Sequence, residues 1–276
     1  MDYIELKPVG RRVSCLGLGC ARLDGRIGLR RSAQLVETAL ELGINYFDVA
    51  AAYGTAEEAL GKVLGNSREV VIATKVGPPR PPYNSTKMLF KTIVRPILDR
   101  TLKLKTMLRK AVSTPPATTT TRPRYDFSRG AIERSLEESL KRLRRDRVDV
   151  FLAHEPNRLD LVPEIEATFQ SLVERQLVSA FGVGIGASED QWAPFGSIWQ
   201  SAWPGDKISS YTRDVTYLFH GVLRHAPKDR FGSPVVSPAE LIRTARRASP
   251  NSVLVVSAST PARLRELVKA VESESV

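Results

Sequence analysis

SRGAIERSLEESLKRLRRDRVDVFLAHE, residues 128–155, changes its hydrophobic period in the middle. Ile132, Leu136, Leu140 and Leu143 recur at helical spacing behind a Ser128 cap, so 128–146 is predicted to be an amphipathic helix. From Val148 the pattern becomes the continuous apolar run VDVFLAHE, 148–155. Such runs suit a parallel strand covered on both faces, because no face is left for water. A helix delivered straight into a buried strand is the repeating unit of an α/β protein.

Seven further runs read the same way: 13–20 (VSCLGLGC), 45–50 (NYFDVA), 70–77 (VVIATKVG), 180–186 (AFGVGIG), 197–203 (SIWQSAW), 215–222 (VTYLFHGV) and 253–260 (VLVVSAST). Helical stretches separate most of them. Residues 30–43 place Leu35, Ala39 and Leu42 on one face and stop at glycine, and 261–272 open with proline in the first turn. Eight strands alternating with helices predict a (β/α)8 TIM barrel, with residues 1–276 as one domain. An open doubly wound sheet is the competitor. It is disfavoured because the turn GCARLDGRIG after the first strand is no GxGxxG fingerprint.

Residues 78–127 interrupt the third strand-to-helix connection as a Pro/Thr-rich, basic insertion. They begin PPRPPYN and end in STPPATTTTRPR, compositions that suit linkers. The net charge of +11 is concentrated here, since 80–124 hold eleven Lys or Arg residues against the single acid Asp99. The insertion reads first as a solvated loop, second as a lid on the catalytic face. A third reading sets Leu89, Phe90, Ile93, Val94 and Ile97 among the lysines as an anchor to nucleic acid or anionic membrane. No apolar run approaches the length of a membrane helix, and the polar start MDYIELKPVGRRV does not resemble a signal peptide. With only Cys15 and Cys20, expected unbridged in the core, the composition suits a cytoplasmic protein.

Three polar residues stand at the C-terminal ends of apolar strands, the end that forms the catalytic rim of a parallel barrel: Asp48, Lys75 and His154. Tyr53 follows Asp48 in the next loop. A buried lysine needs a counter-ion, and Asp48 on the adjacent strand is placed to supply it. An ammonium beside Tyr53 is expected to lower the phenol's pKa and make it a proton donor or acceptor near neutral pH. His154 is placed to hydrogen-bond the reacting oxygen or to relay its proton.

FDVAAAYGTAEEALGKVL, VVIATKVG, IERSLEESLKRLRRDRVDVFLAHEP and STPARLREL, in that order, resemble the aldo-keto reductase superfamily, and more its bacterial sugar-dehydrogenase-like branch than its steroid reductases. The resemblance implies a barrel that binds a nicotinamide cofactor and interconverts carbonyls, sugars included, with alcohols. It places Asp48, Tyr53, Lys75 and His154 on that family's catalytic tetrad, with no metal. Gln200 matches a glutamine on the sixth strand. Ser257, Ser259, Thr260 and Arg263 fall where the last strand meets a helix N-terminus, a place suited to phosphate. Arg263 matches an arginine that contacts the adenosine 2′-phosphate, so NADP(H) is favoured; Ser257 stands where a lysine is frequent, which leaves NAD(H) open. Gly184 and Ile185 replace the Ser-Asn pair with which many members hold the carboxamide. The alternative is a catalytically weak nucleotide-binding barrel that regulates or scaffolds, anchored by its insertion.

Other polar and aromatic residues read as local structure first. His220 and His225 carry that reading, with His220 near the rim. Trp192, Trp199 and Trp203 suit core and substrate pocket equally, and Tyr83 and Phe90 on the insertion are undecided.

Overall fold

The computed structural model of the chain describes residues 1–23, 27–81, 124–157, 160–185, 195–205, 215–225 and 236–272. The readings of the insertion between 82 and 123, and of Trp192, fall outside them.

The chain enters through an antiparallel hairpin, β1 (Tyr3–Leu6) and β2 (Arg11–Ser14). Its turn is the short 3-10 helix Lys7–Val9, closed by Gly10 at φ 66°, a left-handed conformation that glycine adopts without strain. Eight parallel strands then close into a barrel: β3 (Leu16–Gly19), β4 (Tyr46–Asp48), β5 (Val71–Val76), β6 (Val148–His154), β7 (Val178–Gly184), β8 (Ile198–Ala202), β9 (Thr216–His220) and β10 (Val253–Val256). Each pairs with the next in chain order, and β10 returns to β3. The TIM barrel expected from the sequence is therefore present.

One strand needs correction. Residues 13–20 are not a single strand but the end of β2 followed by β3. The break falls where the Cys15 amide donates to Asp2 O at 2.9 Å and the Ser14 amide to Asn45 Oδ1 at 2.7 Å, so the backbone changes partner. Both cysteines are buried and free, as expected.

The hairpin lies under the N-terminal ends of the barrel strands. Arg11 donates to the carbonyls of Val70, at 3.1 Å, and of Arg68, and to Asp149 Oδ1 at 3.4 Å. Asp149 also accepts the Ile72 amide at 2.8 Å, so a carboxylate 5% exposed is satisfied from several sides. This closes the lower end and leaves the C-terminal ends open.

Helices α1 (Leu29–Glu41), α2 (Ala56–Leu64), α3 (Arg129–Leu143), α4 (Pro163–Glu174), α5 (Pro238–Ala248) and α6 (Pro261–Glu272) follow β3, β4, β5, β6, β9 and β10. α3 starts as its sequence requires, with Ser128 Oγ accepting from the Ala131 amide, and it buries Ile132, Leu136 and Leu143. No helix among the described residues is long and apolar enough to cross a membrane. Between β7 and β9 no helix is found among the described residues. The outer face of β7 is covered by aromatic packing, with Phe169 of α4 at 5.6 Å from Phe181 and 5.4 Å from Phe195.

Glu57, in the first turn of α2, ties three elements together. Its carboxylate accepts from Thr74 Oγ1 of β5 at 2.7 Å and from Arg142 Nε of α3 at 2.6 Å, with only 1% of the residue exposed. This fixes α2, and the loop ahead of it, against the strand that carries Lys75. Glu57→Gln keeps an acceptor for Thr74 but removes the charge facing Arg142. It is expected to cost about 2 kcal/mol, the scale of a charge-assisted hydrogen bond, read as a lower urea midpoint with unchanged m-value.

Candidate active site

The open end of the barrel holds a cavity of about 580 Å3. Asp48, Tyr53, Lys75 and His154 all line it, together with Gln200, His220 and Ser257. The strands deliver them in sequence. Asp48 ends β4, Lys75 is the penultimate residue of β5, His154 ends β6, Gln200 is central in β8 and His220 ends β9. Side chains alternate along each strand, so Lys75 points into the barrel while Thr74 faces out to Glu57.

Tyr53 arrives by a turn. Its amide donates to Ala50 O at 2.9 Å, its carbonyl accepts from Ala56 at 3.1 Å, and Gly54 between takes φ 59°. The chain thus folds back over the end of β4 before α2 begins.

Lys75 Nζ, on a residue 2% exposed, donates to Asp48 Oδ1 at 2.6 Å and to Val49 O at 2.9 Å. Burial works against its charge, but Asp48 and Tyr53 outweigh that, and its pKa is raised above the ordinary lysine value. The ammonium lies 5.3 Å from the Tyr53 ring centroid, within cation–π range. His154 meets the same ring edge-on, with centroids 5.9 Å apart and planes at 89°. The tetrad residues read from the sequence are thus brought together around one phenol.

The electrostatics differ from expectation in one respect. Lys75 is the largest influence on Tyr53 and does pull its pKa down. Burial and the carboxylates of Asp48 and Glu155 together outweigh it, so the phenol lies above its ordinary value of 10. Tyr53 is therefore a protonated phenol throughout the neutral range. His154 is displaced the other way, to about 3, by burial and then by Lys75 and His220. It is therefore a neutral imidazole throughout the neutral range.

The expected cofactor residues divide. Gln200 and Ser257 line the cavity; Gln200 Nε2 donates to Asp48 Oδ1 at 2.8 Å, and Ser257 Oγ donates to Gly19 O at 3.4 Å. Ser259, Thr260 and Arg263 do not line it. They lie where β10 passes into α6, with Thr260 Oγ1 accepting the Arg263 amide at 3.3 Å and Arg263 paired with Glu266 at 2.8 Å. Trp203 and Trp199 fall outside the cavity lining, Trp203 in the core and Trp199 half-buried against Tyr217. His225 ends the 3-10 turn Val222–His225.

Three charged lining residues were not singled out from the sequence: Glu155, Arg22 and Arg224. Glu155 takes φ 51°, an uncommon left-handed conformation for a residue with a Cβ, with its amide bound to Gly184 O at 2.7 Å. Its position directly after His154 was the available signal. His220 was read as local structure; it faces the cavity instead, its pKa lowered chiefly by burial.

Comparison with known sequences settles the lineage. The sequence model of the aldo/keto reductase family matches residues 15–193, well over half of the chain. The chain belongs to the aldo/keto reductase family. Aldo-keto reductase YhdN of Bacillus subtilis is 26% identical over 192 residues, which are 66% of this chain and 46% of YhdN. D-threo-aldose 1-dehydrogenase of a Pseudomonas species is 27% identical over 188 residues, 63% of this chain and 51% of that enzyme. The chain thus matches about half the length of these curated relatives. Among solved structures, the holo form of an aldo-keto reductase from Bacillus halodurans superposes with a TM-score of 0.71 at 18% identity, over 100% of this chain and 92% of that one. A Pseudomonas aeruginosa protein assigned to the aldo-keto reductases gives 0.69 at 24% identity, over 98% and 95%. At these identities the structures of other aldo/keto reductases speak to the fold alone, and both agree with the closed barrel.

Proposed function

We propose that the chain is an NAD(P)H-dependent oxidoreductase that interconverts a small carbonyl compound with its alcohol. Tyr53 serves as general acid in reduction and as general base in oxidation. The observation that carries this reading is a single phenol flanked by the Lys75–Asp48 ion pair and a neutral His154 inside one cavity.

The cavity is of a size to take a small molecule. Its volume of about 580 Å3 lies within the range of small-molecule sites, and the guanidinium groups of Arg22 and Arg224 on its lining suit phosphate oxygens. The sequence match of Arg263 to an arginine that contacts a 2′-phosphate supports NADP(H) over NAD(H), although Arg263 stands outside the cavity lining and is paired with Glu266. A bound reduced nicotinamide supplies a hydride to the carbonyl carbon.

The chain's own residues handle the oxygen. Tyr53 donates its phenolic proton as negative charge develops there. Lys75 stabilises the phenolate that remains, and Asp48 keeps the ammonium charged and in place. His154 Nδ1 is buried and has no hydrogen-bond partner among the described residues. A neutral imidazole so placed keeps its proton on Nε2, the nitrogen left to the cavity, and donates there to orient the carbonyl oxygen. Orientation, rather than proton relay, is therefore the role assigned to His154.

Absorbance of NADPH and of NADH at 340 nm, followed with a panel of aldehydes, ketones and aldoses, tests the reading. Aldoses belong in the panel because one relative is an aldose dehydrogenase. Cofactor binding without reduction of any carbonyl would instead point to a nucleotide-binding module.

The pH profile carries a second test. An acid held above its ordinary pKa stays protonated through neutrality, and His154 does not charge until about pH 3. In reduction, kcat/KM is expected to be level from pH 6 to about 9 and to fall only on the alkaline side, as Tyr53 loses its proton. A limb near pH 6.5, the ordinary histidine value, would remove the neutral donor assigned to His154.

A further inference from the structure

Resting on the reading of Tyr53 given above, we propose that Gln200 is a positioning residue that reaches across the barrel to hold the Asp48 carboxylate against Lys75. β8 and β4 are not neighbours; β5, β6 and β7 lie between them. The Gln200–Asp48 bond therefore spans the barrel interior and joins opposite walls of the site. Both residues are buried, Gln200 at 3% and Asp48 at 5% exposure.

The chemistry fixes how the amide is turned. An ionised carboxylate only accepts, so the Gln200 group facing it is the NH2. Asp48 Oδ1 then receives two donors, Lys75 Nζ at 2.6 Å and Gln200 Nε2 at 2.8 Å. They approach from different strands, β5 and β8. A carboxylate held only by a flexible ammonium could swing with it. A second donor on the opposite wall fixes the carboxylate plane, and with it the ammonium beside Tyr53.

The amide oxygen is left on the side of Gly184, 3.5 Å from where a Cβ on that glycine would stand. Gln200 thus commits one of its two N–H groups to the protein.

Gln200→Met keeps the length and bulk of the side chain and removes the donor. NADPH affinity by fluorescence quenching, and kcat with an aldehyde that the wild type reduces, are measured for Gln200→Met, Asp48→Asn and the double variant. The expected result is a roughly tenfold loss of kcat in Gln200→Met with NADPH Kd within about threefold of wild type. The double variant should be no slower than Asp48→Asn alone, because Gln200 acts through Asp48. A tenfold weaker NADPH Kd with unchanged kcat overturns the proposal, as do two losses that multiply in the double variant. If the wild type reduces no carbonyl, the proposed activity fails, and the same cycle is read on urea midpoints. There, a double variant no less stable than Asp48→Asn supports the positioning of Asp48, and additive losses overturn it. Should Asp48→Asn not fold, Asp48→Leu/Lys75→Met, which removes both charges together, replaces it as the background for the urea cycle.

Discussion

Tyr53→Phe is expected to lower kcat for carbonyl reduction by more than ~100-fold while leaving NADPH Kd within about twofold. The substitution removes the phenolic hydroxyl and little else. A phenylalanine ring still meets His154 edge-on and still lies over Lys75 Nζ, at the 5.9 Å and 5.3 Å separations that Tyr53 shows. The Lys75–Asp48 pair does not involve the phenolic oxygen, so the buried charges remain compensated and the fold has no reason to yield. What disappears is the one phenol among the described residues of the cavity lining, the acid that would protonate the developing alkoxide. His154 cannot replace it, because burial and Lys75 hold it neutral down to about pH 3 and a neutral imidazole is a poor acid. A general acid contributes roughly 10²–10⁴-fold, and the described residues of the lining offer no substitute phenol, so the lower bound is the expectation. The measurement is single-turnover NADPH oxidation beside a cofactor titration. A loss under tenfold with normal NADPH binding would remove Tyr53 from the chemistry.

How much of this was readable beforehand depends on whether a feature is local in sequence. The barrel strands announced themselves because two-sided burial forces continuous apolar runs such as VVIATKVG, and single polar residues then stand out against them. Asp48, Lys75 and His154 were legible for that reason. The opening hairpin was not, since YIEL and RRVS are short and half polar, and β2 runs into β3 without a turn residue. The Gln200–Asp48 bond joins residues 152 positions apart, and only closure of the barrel brings them together. The direction of the Tyr53 shift was misjudged for a related reason. An adjacent lysine can be inferred from strand order, whereas burial and the position of Glu155 depend on the finished cavity. Glu57 shows the opposite limit. It lies in the most recognisable motif of the chain, YGTAE, yet its partners are Thr74 and Arg142, so it serves the scaffold.

Gly182→Ala and Gly184→Ala should behave oppositely, although the two glycines are neighbours on one face of β7. Neither needs a left-handed backbone, so conformation does not forbid alanine at either. What differs is the space. Gly182 pairs with Ile198 of β8, and a Cβ there would overlap Ile198 O outright and stand 2.6 Å from its carbonyl carbon and 2.9 Å from its nitrogen. These are backbone atoms, so no rotamer change relieves them, and β7 would have to part from β8. A closed barrel transmits that displacement to every other pairing. The expected cost is about 4 kcal/mol, above the usual overpacking range because the obstacle is main chain, and corresponds to a fall in Tm of roughly 8–16 °C. At Gly184 the nearest atoms to a Cβ are Gln200 Oε1 at 3.5 Å, then Ala153 O and Lys75 Cδ at 3.7 Å, all ordinary contacts. Gly184→Ala should therefore melt within about 2 °C of the wild type, and its effect should appear in the cavity, as a change in cofactor or substrate KM. Calorimetry of the two variants side by side decides the matter. Equal melting temperatures would mean that β7 and β8 are not packed main chain to main chain at Gly182, and the tight side of the barrel would have to be sought elsewhere.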